Sequence, residues 1–268
     1  MEELSQISIE TELSRRGIGP SDANYTKIIQ YAGASNFLKA QCEAKTVVSV
    51  TDTTFSLLLS TLVSAVYIDH ATEADKDRPH WDTFRPILFD GLPLFGTDGT
   101  GFWSTLPNDL VEVLCDDIES IGGEQRERLR FCWDAMLHSM YEQRSAVTLG
   151  ANISDIIGTR VLEAVCMADL LCSILIEDEK EYCVPFFVDW LSLQMSAGNL
   201  MDAVMDYKED LKSGHRKLSL VERSTYLVTA LGMSFKYLTH PMTTKADRAS
   251  MLKKFNAGFG AIINSNFS

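Results

Sequence analysis

Three aspartates, Asp202, Asp206 and Asp210, recur at four-residue intervals in the last third of the chain. Residues four apart in an α-helix lie on one face, roughly 6 Å from each other. Carboxylates at this spacing repel one another and destabilise the helix unless a cation binds between them. Mg²⁺ takes hard oxygen ligands and shares them with substrate phosphates. The run therefore predicts a Mg²⁺ site that also binds a phosphorylated ligand.

The residues before the first aspartate decide which way we expect the carboxylates to point. Apolar or small residues occupy the preceding helical steps, at Val188, Leu191, Met195 and Gly198. The acids continue this stripe, so we expect them to face the interior, where carboxylates need cations or hydrogen-bond donors. The alternative is an exposed acidic helix end whose carboxylates pair with Lys208 and Lys212.

A second pair of acids, Asp69 and Glu73, ends another apolar helical seam. The seam follows steps of three and four residues through Phe55, Leu59, Leu62 and Val66. Two apolar helices that each end in inward carboxylates could hold a metal cluster between them. The alternative for each acid is a helix-terminal group with a local partner.

A third acidic run surrounds Asp116, and we expect it to face water. Glu112, Asp116 and Glu119 lie on the side of a helix opposite the leucines and isoleucines of the same segment. A solvated face is therefore the favoured interpretation of this run.

Composition limits the classes of function. The chain has 268 residues and a formal net charge of −13, which argues against nucleic acids and anionic membrane surfaces as partners. Six cysteines without CxxC spacing predict reduced thiols in a cytoplasmic protein. The longest apolar stretch, 55–68, is shorter than a membrane span. We expect one domain, as a monomer or homodimer, without an integral membrane segment.

Helical periodicity covers most of the chain and predicts an all-α fold. The segments are 24–45, 52–75, 108–121, 124–147, 154–178, 185–212, 219–238 and 244–262. A polar segment, 1–21, precedes them, and residues 78–107 form a connection rich in proline and glycine. Ser219 and Glu222 have the spacing of a capping box. We expect a single antiparallel bundle with a central active-site cavity.

The segment 160–218 resembles the second conserved region of squalene and phytoene synthases and of related class I terpene synthases. That region carries an aspartate-rich helix followed by a basic turn. The corresponding residues here are Asn199, Asp202, Asp206, Glu209, Asp210 and then Gly214-His215-Arg216. The first aspartate-rich motif of this family is sparser here, because only Asp69 and Glu73 stand at its position.

The resemblance implies the isoprenoid-synthase fold and a Mg²⁺-dependent terpene cyclase that ionises a prenyl diphosphate, farnesyl diphosphate being the expected substrate. It implies that the metal ligands are Asp69, Glu73, Asp202, Asp206 and Asp210. Among these, Asp69, Asp206 and Asp210 would be catalytic. The residues expected to bind the diphosphate are Arg160, Asn199, Lys212 and Arg216. Two alternatives remain open: head-to-head prenyl condensation of the squalene synthase type, and a non-catalytic helical interaction protein.

Overall fold

A computed structural model describes residues 2–74, 106–148, 150–176, 184–205 and 219–253, which are mainly helical and contain no strand. The predicted all-α class is confirmed. The helices are α1 (Glu2–Arg15), α2 (Tyr25–Lys45), α3 (Asp52–Ala74), α4 (Asn108–Ser120), α5 (Gly123–Thr148), α6 (Ile153–Leu175), α7 (Val184–Met205), α8 (Leu220–Thr239) and α9 (245–253).

The predicted helix boundaries agree with α2 to α8 within about three residues wherever both ends are described. Helix α1 was not predicted, because the first 21 residues were interpreted only as a polar segment. The predicted connection 78–107 lies outside the described residues except for its last two positions. The predicted extension of α7 beyond Met205 also lies outside them.

The chain forms two compact units. The first comprises Met1–Phe131 with Ser173–Asp178, and the second comprises Cys132–Cys172 with Glu179–Ser268. No sequence pattern indicates a boundary inside α5 and α6, the helices that contribute to both units. The arrangement as one antiparallel bundle around a cavity stays a prediction.

Helix α3 is the buried centre of the first unit and packs against α2 and α4. Every side chain from Ser56 to Ile68 is buried. A helix that is buried on all sides must be apolar or small all round, and here serines and threonines occupy the positions between the leucines and valines. None of the helices in the described part of the chain is long and apolar enough to cross a membrane.

Helix α1 ends in a Schellman motif that requires glycine. The backbone N–H of Ile18 donates to the carbonyl of Leu13 at 3.0 Å, and that of Gly17 donates to Ser14 at 3.1 Å. Gly17 has a φ of 70°, a conformation that side chains with a Cβ rarely adopt. A Cβ there would also lie 2.9 Å from Oδ2 of Asp109. The glycine therefore fixes where α1 stops and how Arg16 enters the unit.

Helices α7 and α8 pack against each other in the second unit. At one end, the rings of Trp190 and Tyr237 lie with centroids 5.7 Å apart, and Phe187 stacks on Trp190. Toward the other end, Leu200 and Tyr226 belong to an apolar cluster that also includes residues of α6. These contacts place the end of α7, which carries the first predicted metal ligand of this region, beside α6.

The capping box predicted at the start of α8 is confirmed. Ser219 Oγ accepts a hydrogen bond from the backbone N–H of Glu222 at 3.2 Å, and Glu222 Oε2 accepts one from the N–H of Ser219 at 2.7 Å. Both bonds satisfy backbone donors that the first helical turn leaves without partners.

Candidate functional site

Two residues predicted to bind substrate, Arg160 of α6 and Asn199 of α7, contact each other in the second unit. Arg160 Nη1 donates to Asn199 Oδ1 at 3.3 Å, and Asn199 Nδ2 donates to the backbone carbonyl of Arg160 at 3.1 Å. They are 39 residues apart in the chain. The amide therefore binds both the side chain and the backbone of the arginine and restricts the orientation of its guanidinium.

The guanidinium of Arg160 has unused capacity to bind an anion. Its Nε is buried and has no hydrogen-bond partner among the residues that the structure describes. Ile157 and Leu200, both buried, belong to the apolar cluster that flanks the pair. A buried donor without a partner costs free energy, and a guanidinium binds carboxylate or phosphate oxygens through paired N–H groups. The arrangement is suited to one anionic ligand bound at Arg160.

The residues that follow Arg160 at steps of four and three along one face of α6 are mostly buried. Ala164, Leu171 and Ile174 are buried, while Arg160 and Met167 are half-buried. Arg160 is therefore the polar end of an inward face and not an ordinary surface arginine.

The inward orientation predicted for Asp202 is wrong. Its side chain is exposed, and on its stripe only Leu191 is buried. The buried residues in this half of α7 are Ser196, Ala197, Leu200 and Met201, which are about 100° to 160° around the helix from Asp202. The buried face of α7 thus turns between its two halves, and the stripe read from the first half does not continue. A role for Asp202 as a metal ligand stays a prediction.

Most of the other predicted site residues lie outside the described residues. These are Asp206, Glu209, Asp210, Lys212 and Arg216, together with the side chain of Glu73. Within the part of the chain that is described, no three or more histidine, cysteine, aspartate or glutamate side chains are grouped so that they could hold a metal ion. The predicted Mg²⁺ ligands therefore remain a prediction from the sequence.

Asp69 lies in the first unit and has a cationic partner. Lys27 Nζ of α2 is 2.6 Å from its Oδ2, and both side chains are partly exposed. Two residues earlier in α3, the hydroxyl of Tyr67 donates to Asp22 Oδ2 at 2.5 Å. Burial raises the pKa of Tyr67, and the hydrogen bond with Asp22 raises it further. Asp69 thus has an ion-pair partner on another helix, 42 residues away in the chain, and not the local partner of the alternative interpretation.

The acidic run around Asp116 is exposed, as predicted. Glu112, Asp116 and Glu119 are all exposed, whereas Leu114 is buried. Its neighbour Asp117, however, is buried, with 8% of its surface exposed. Burial raises the pKa of the Asp117 carboxyl, and a hydrogen bond with Ser56 and the charge of Arg16 oppose this only in part.

A buried polar cluster around Arg16 was missed by the sequence analysis. Arg16 is 0% exposed and joins α1 to α3. Its Nε donates to Ser60 Oγ at 2.9 Å, and Nη2 donates to the carbonyl of Ser56 at 3.1 Å and to Ser56 Oγ at 2.7 Å. Its Nη1 donates to the carbonyl and to the carboxylate of Glu12, each at 2.7 Å.

The Arg16 cluster is structural and not a ligand site. All five N–H groups of the guanidinium are used within the protein, so no donor remains for an anion. One sequence signal could have found it. Arg16 follows Ile9 and Leu13 at helical steps of four and three residues, so it continues their buried face.

The geometry thus gives two different kinds of arginine. Arg16 is fully hydrogen-bonded and joins two helices. Arg160 is oriented by an amide, and in the described part of the chain its buried Nε has no partner. Comparison with protein-family models, curated proteins and solved structures finds no match to this chain.

Proposed function

We propose that this chain is a Mg²⁺-dependent enzyme of the class I terpene cyclase type that ionises a prenyl diphosphate. The observation that carries the proposal is the contact between Arg160 and Asn199. The resemblance implies that both residues bind the diphosphate. Their contact across two helices is an observation independent of that resemblance. The buried Nε of Arg160 is the donor that a diphosphate oxygen would satisfy.

Different residues of the chain would bind the diphosphate, orient the arginine and hold the metal ion. Arg160 would bind its oxygens and keep the charge of the leaving group near the apolar face formed by α6 and α7. Asn199 would hold the guanidinium in place through its two hydrogen bonds. The carboxylates of Asp202, Asp206 and Asp210 would hold Mg²⁺, which when bound neutralises charge on the leaving diphosphate. An exposed carboxylate such as Asp202 suits an ion that retains some of its water.

Product formation tests the activity. Purified protein is incubated separately with geranyl, farnesyl and geranylgeranyl diphosphate, with and without Mg²⁺, and the extracts are analysed by gas chromatography and mass spectrometry. A Mg²⁺-dependent cyclic hydrocarbon or alcohol from one substrate is the expected result. Coupled products of doubled chain length would indicate head-to-head condensation instead. No product from any substrate, in protein shown to be folded, would contradict both enzymatic assignments.

Substitution of Arg160 tests the residue that carries the proposal. Lysine keeps the charge but cannot form paired, planar hydrogen bonds, so Arg160→Lys should lose at least about tenfold in turnover. The matched control is Arg248→Lys, because Arg248 belongs to the same unit and is exposed. Equal turnover in both variants would remove Arg160 from the site.

Binding of inorganic diphosphate gives a readout that does not depend on turnover. With Mg²⁺ present, diphosphate should raise the melting temperature of the wild-type protein, because it binds only the folded state. Asn199→Leu removes the amide that orients Arg160 and should reduce this rise. An unchanged rise in both Asn199→Leu and Arg160→Lys would place the anion elsewhere.

A second candidate function, a non-catalytic helical interaction protein, is favoured by the contact between Lys27 and Asp69. The ammonium of Lys27, 2.6 Å from the Asp69 carboxylate, neutralises the charge that a bound metal ion would otherwise neutralise. Asp69→Asn and Lys27→Met distinguish the two functions. If Asp69 only pairs with Lys27, both variants change stability alike and the response to Mg²⁺ and diphosphate is unchanged. If Asp69 binds metal, Asp69→Asn alone weakens that response.

A further inference from the structure

Helix α8 carries an apolar stripe on the face opposite to its packed side. Its inner face, which includes Tyr226, Ala230 and Tyr237, is buried. On the other face Val221 is 75% exposed, Val228 67%, Leu231 36% and Phe235 67%. Ser224 is exposed and Leu238 is half-buried on the same stripe. Four large apolar side chains on one exposed helical face are more than isolated surface positions.

The spacing of the stripe fits another helix. Steps of three and four residues alternate without interruption through Val221, Ser224, Val228, Leu231, Phe235 and Leu238. This is the a and d spacing of a coiled-coil seam, in which each side chain packs between residues of a facing helix. In this numbering, the a positions are Val221, Val228 and Phe235, and the d positions are Ser224, Leu231 and Leu238.

We propose that this stripe pairs, antiparallel, with α8 of a second copy of the chain. In an antiparallel pair, each a position of one helix packs against a d position of the other. One alignment of the two helices therefore gives three different pairs of side chains. These are Val221 with Leu238 of the second copy, Ser224 with Phe235, and Val228 with Leu231. Every layer then contains one smaller and one larger side chain, the combination that fills an interface evenly.

Parallel pairing of the same helix would fit poorly. It would place Ser224 against Ser224 and Phe235 against Phe235, which leaves a gap in one layer and crowds another. The sequence of side-chain volumes along the stripe is therefore complementary to itself only in the antiparallel direction. That self-complementarity is the property of a two-fold symmetric contact between identical chains.

The distribution of charge also favours a second copy. The chain carries a net charge of −13, so most faces of two copies repel each other. The six positions of the stripe carry no charge. The charged residues of α8 are Glu222, Arg223 and Lys236, so this helix contributes one more positive than negative charge. Two copies can meet along α8 without bringing carboxylates together.

The size of the stripe sets the expected strength of the dimer. From Val221 to Leu238 the helix rises about 26 Å, and a strip one helix wide covers roughly 300 Å² on each copy. A standard stable interface covers about 800 Å² on each partner. We therefore expect a weak, reversible dimer that forms with increasing concentration. The proposal does not depend on the proposed enzymatic function.

Sedimentation equilibrium of the full chain, from about 10 μM to 1 mM, tests the association. Wild-type protein should pass from monomer to dimer, and Val228→Glu should raise the dissociation constant at least about tenfold, because a carboxylate in the seam must be desolvated. Phe131→Glu, at a position 73% exposed on α5, is the matched control and should dimerise like wild type. A monomer at every concentration, or a dimer equally stable in Val228→Glu, would overturn the proposal. Circular dichroism confirms that each variant is folded.

Cross-linking tests the direction of the pair. One preparation carries Val221→Cys and another carries Leu238→Cys, and the two are mixed under oxidising conditions. The antiparallel register brings these positions together, so a disulfide between them should form and be found by peptide mass mapping. A parallel pair would separate them by about 26 Å. Disulfides within each separate preparation, and none specific to the mixture, would contradict the antiparallel arrangement.

Discussion

Replacement of Arg16 by methionine should destabilise the first unit more than any other single change at its charged residues. Methionine is unbranched and similar in length, so the variant mainly removes the charge and the five hydrogen bonds. Arg16 is completely buried, and its partners lie at the end of α1 and on two successive turns of α3. The variant therefore weakens the contact between α1 and α3.

The magnitude follows from the partners that remain after the change. Three of the five hydrogen bonds go to Ser56 and Ser60 on the buried helix, where water does not replace the guanidinium. The carboxylate of Glu12 is 31% exposed and can be rehydrated. The buried carboxyl of Asp117 loses a charge that lowers its pKa. Removal of one partner from a buried charged network typically costs about 3 to 5 kcal/mol, and we expect a loss in this range.

Urea unfolding at pH 7, followed by circular dichroism, measures the loss as a shift of the unfolding midpoint. The matched control is Arg15→Met. Arg15 is the preceding residue, its side chain is 58% exposed, and it lies 4.0 Å from the same glutamate. Exposed ion pairs contribute about 0 to 1 kcal/mol, so the control should stay close to wild type.

Two results would refute the reasoning. A free energy of unfolding within about 1 kcal/mol of wild type in Arg16→Met would mean that the cluster is not needed for stability. The second test adds Asp117→Asn to Arg16→Met. If the unpaired carboxylate contributes to the loss, Asp117→Asn should raise the free energy of unfolding by about 1 kcal/mol more in Arg16→Met than it does in the wild-type protein. An equal effect in both backgrounds would show that Asp117 and Arg16 act independently.

Three further predictions concern single sites. Asp117→Asn should raise the free energy of unfolding at pH 7 and leave it nearly unchanged at pH 3, as measured by urea unfolding at both pH values. Burial raises the pKa of Asp117 in the folded chain, so folding favours the protonated carboxyl. The protonated carboxyl therefore stabilises the fold below the unfolded-state pKa of about 3.9, and this stabilisation is lost as the pH rises through the folded-state pKa. Gly17→Ala should cost about 1 to 2 kcal/mol in thermal unfolding, because φ is 70° and Asp109 crowds the Cβ, whereas Gly19→Ala, which meets nothing within 4 Å, should cost less. Ser219→Ala should cost about 1 kcal/mol by removing one bond of the capping box, and Ser250→Ala, at an exposed position of α9, is the control for the loss of a serine hydroxyl.

The all-α class and most helix boundaries could be predicted because both depend on short-range chemistry. Apolar residues at three- and four-residue steps indicate a buried helical face wherever they occur. Ser219 and Glu222 act only on the turn that contains them, so the capping box could be read directly from their spacing. Helix α1 was missed because its first turns are polar and few apolar residues mark its buried side. Its end, at Gly17, is the local feature that could have indicated it.

The partners of charged side chains could not be predicted, because they are far apart in the chain. The hydrogen bonds of Arg16 go to Ser56 and Ser60, 40 and 44 residues later. Asp69 has a partner only because α2 brings Lys27 beside α3. Each of these residues is polar, and sequence patterns assign polar residues to the surface.

The sequence by itself determined that the segments forming α2 to α9 are helical. Only the tertiary structure decided that Asn199 holds Arg160, that Asp202 faces outward, and that the stripe of α8 is exposed. The physical reason is that a helix has two or more faces on which side chains could be buried, and the neighbouring helices select among them. On α7 the buried face turns between Leu191 and Leu200, and no periodicity in its own residues specifies that change.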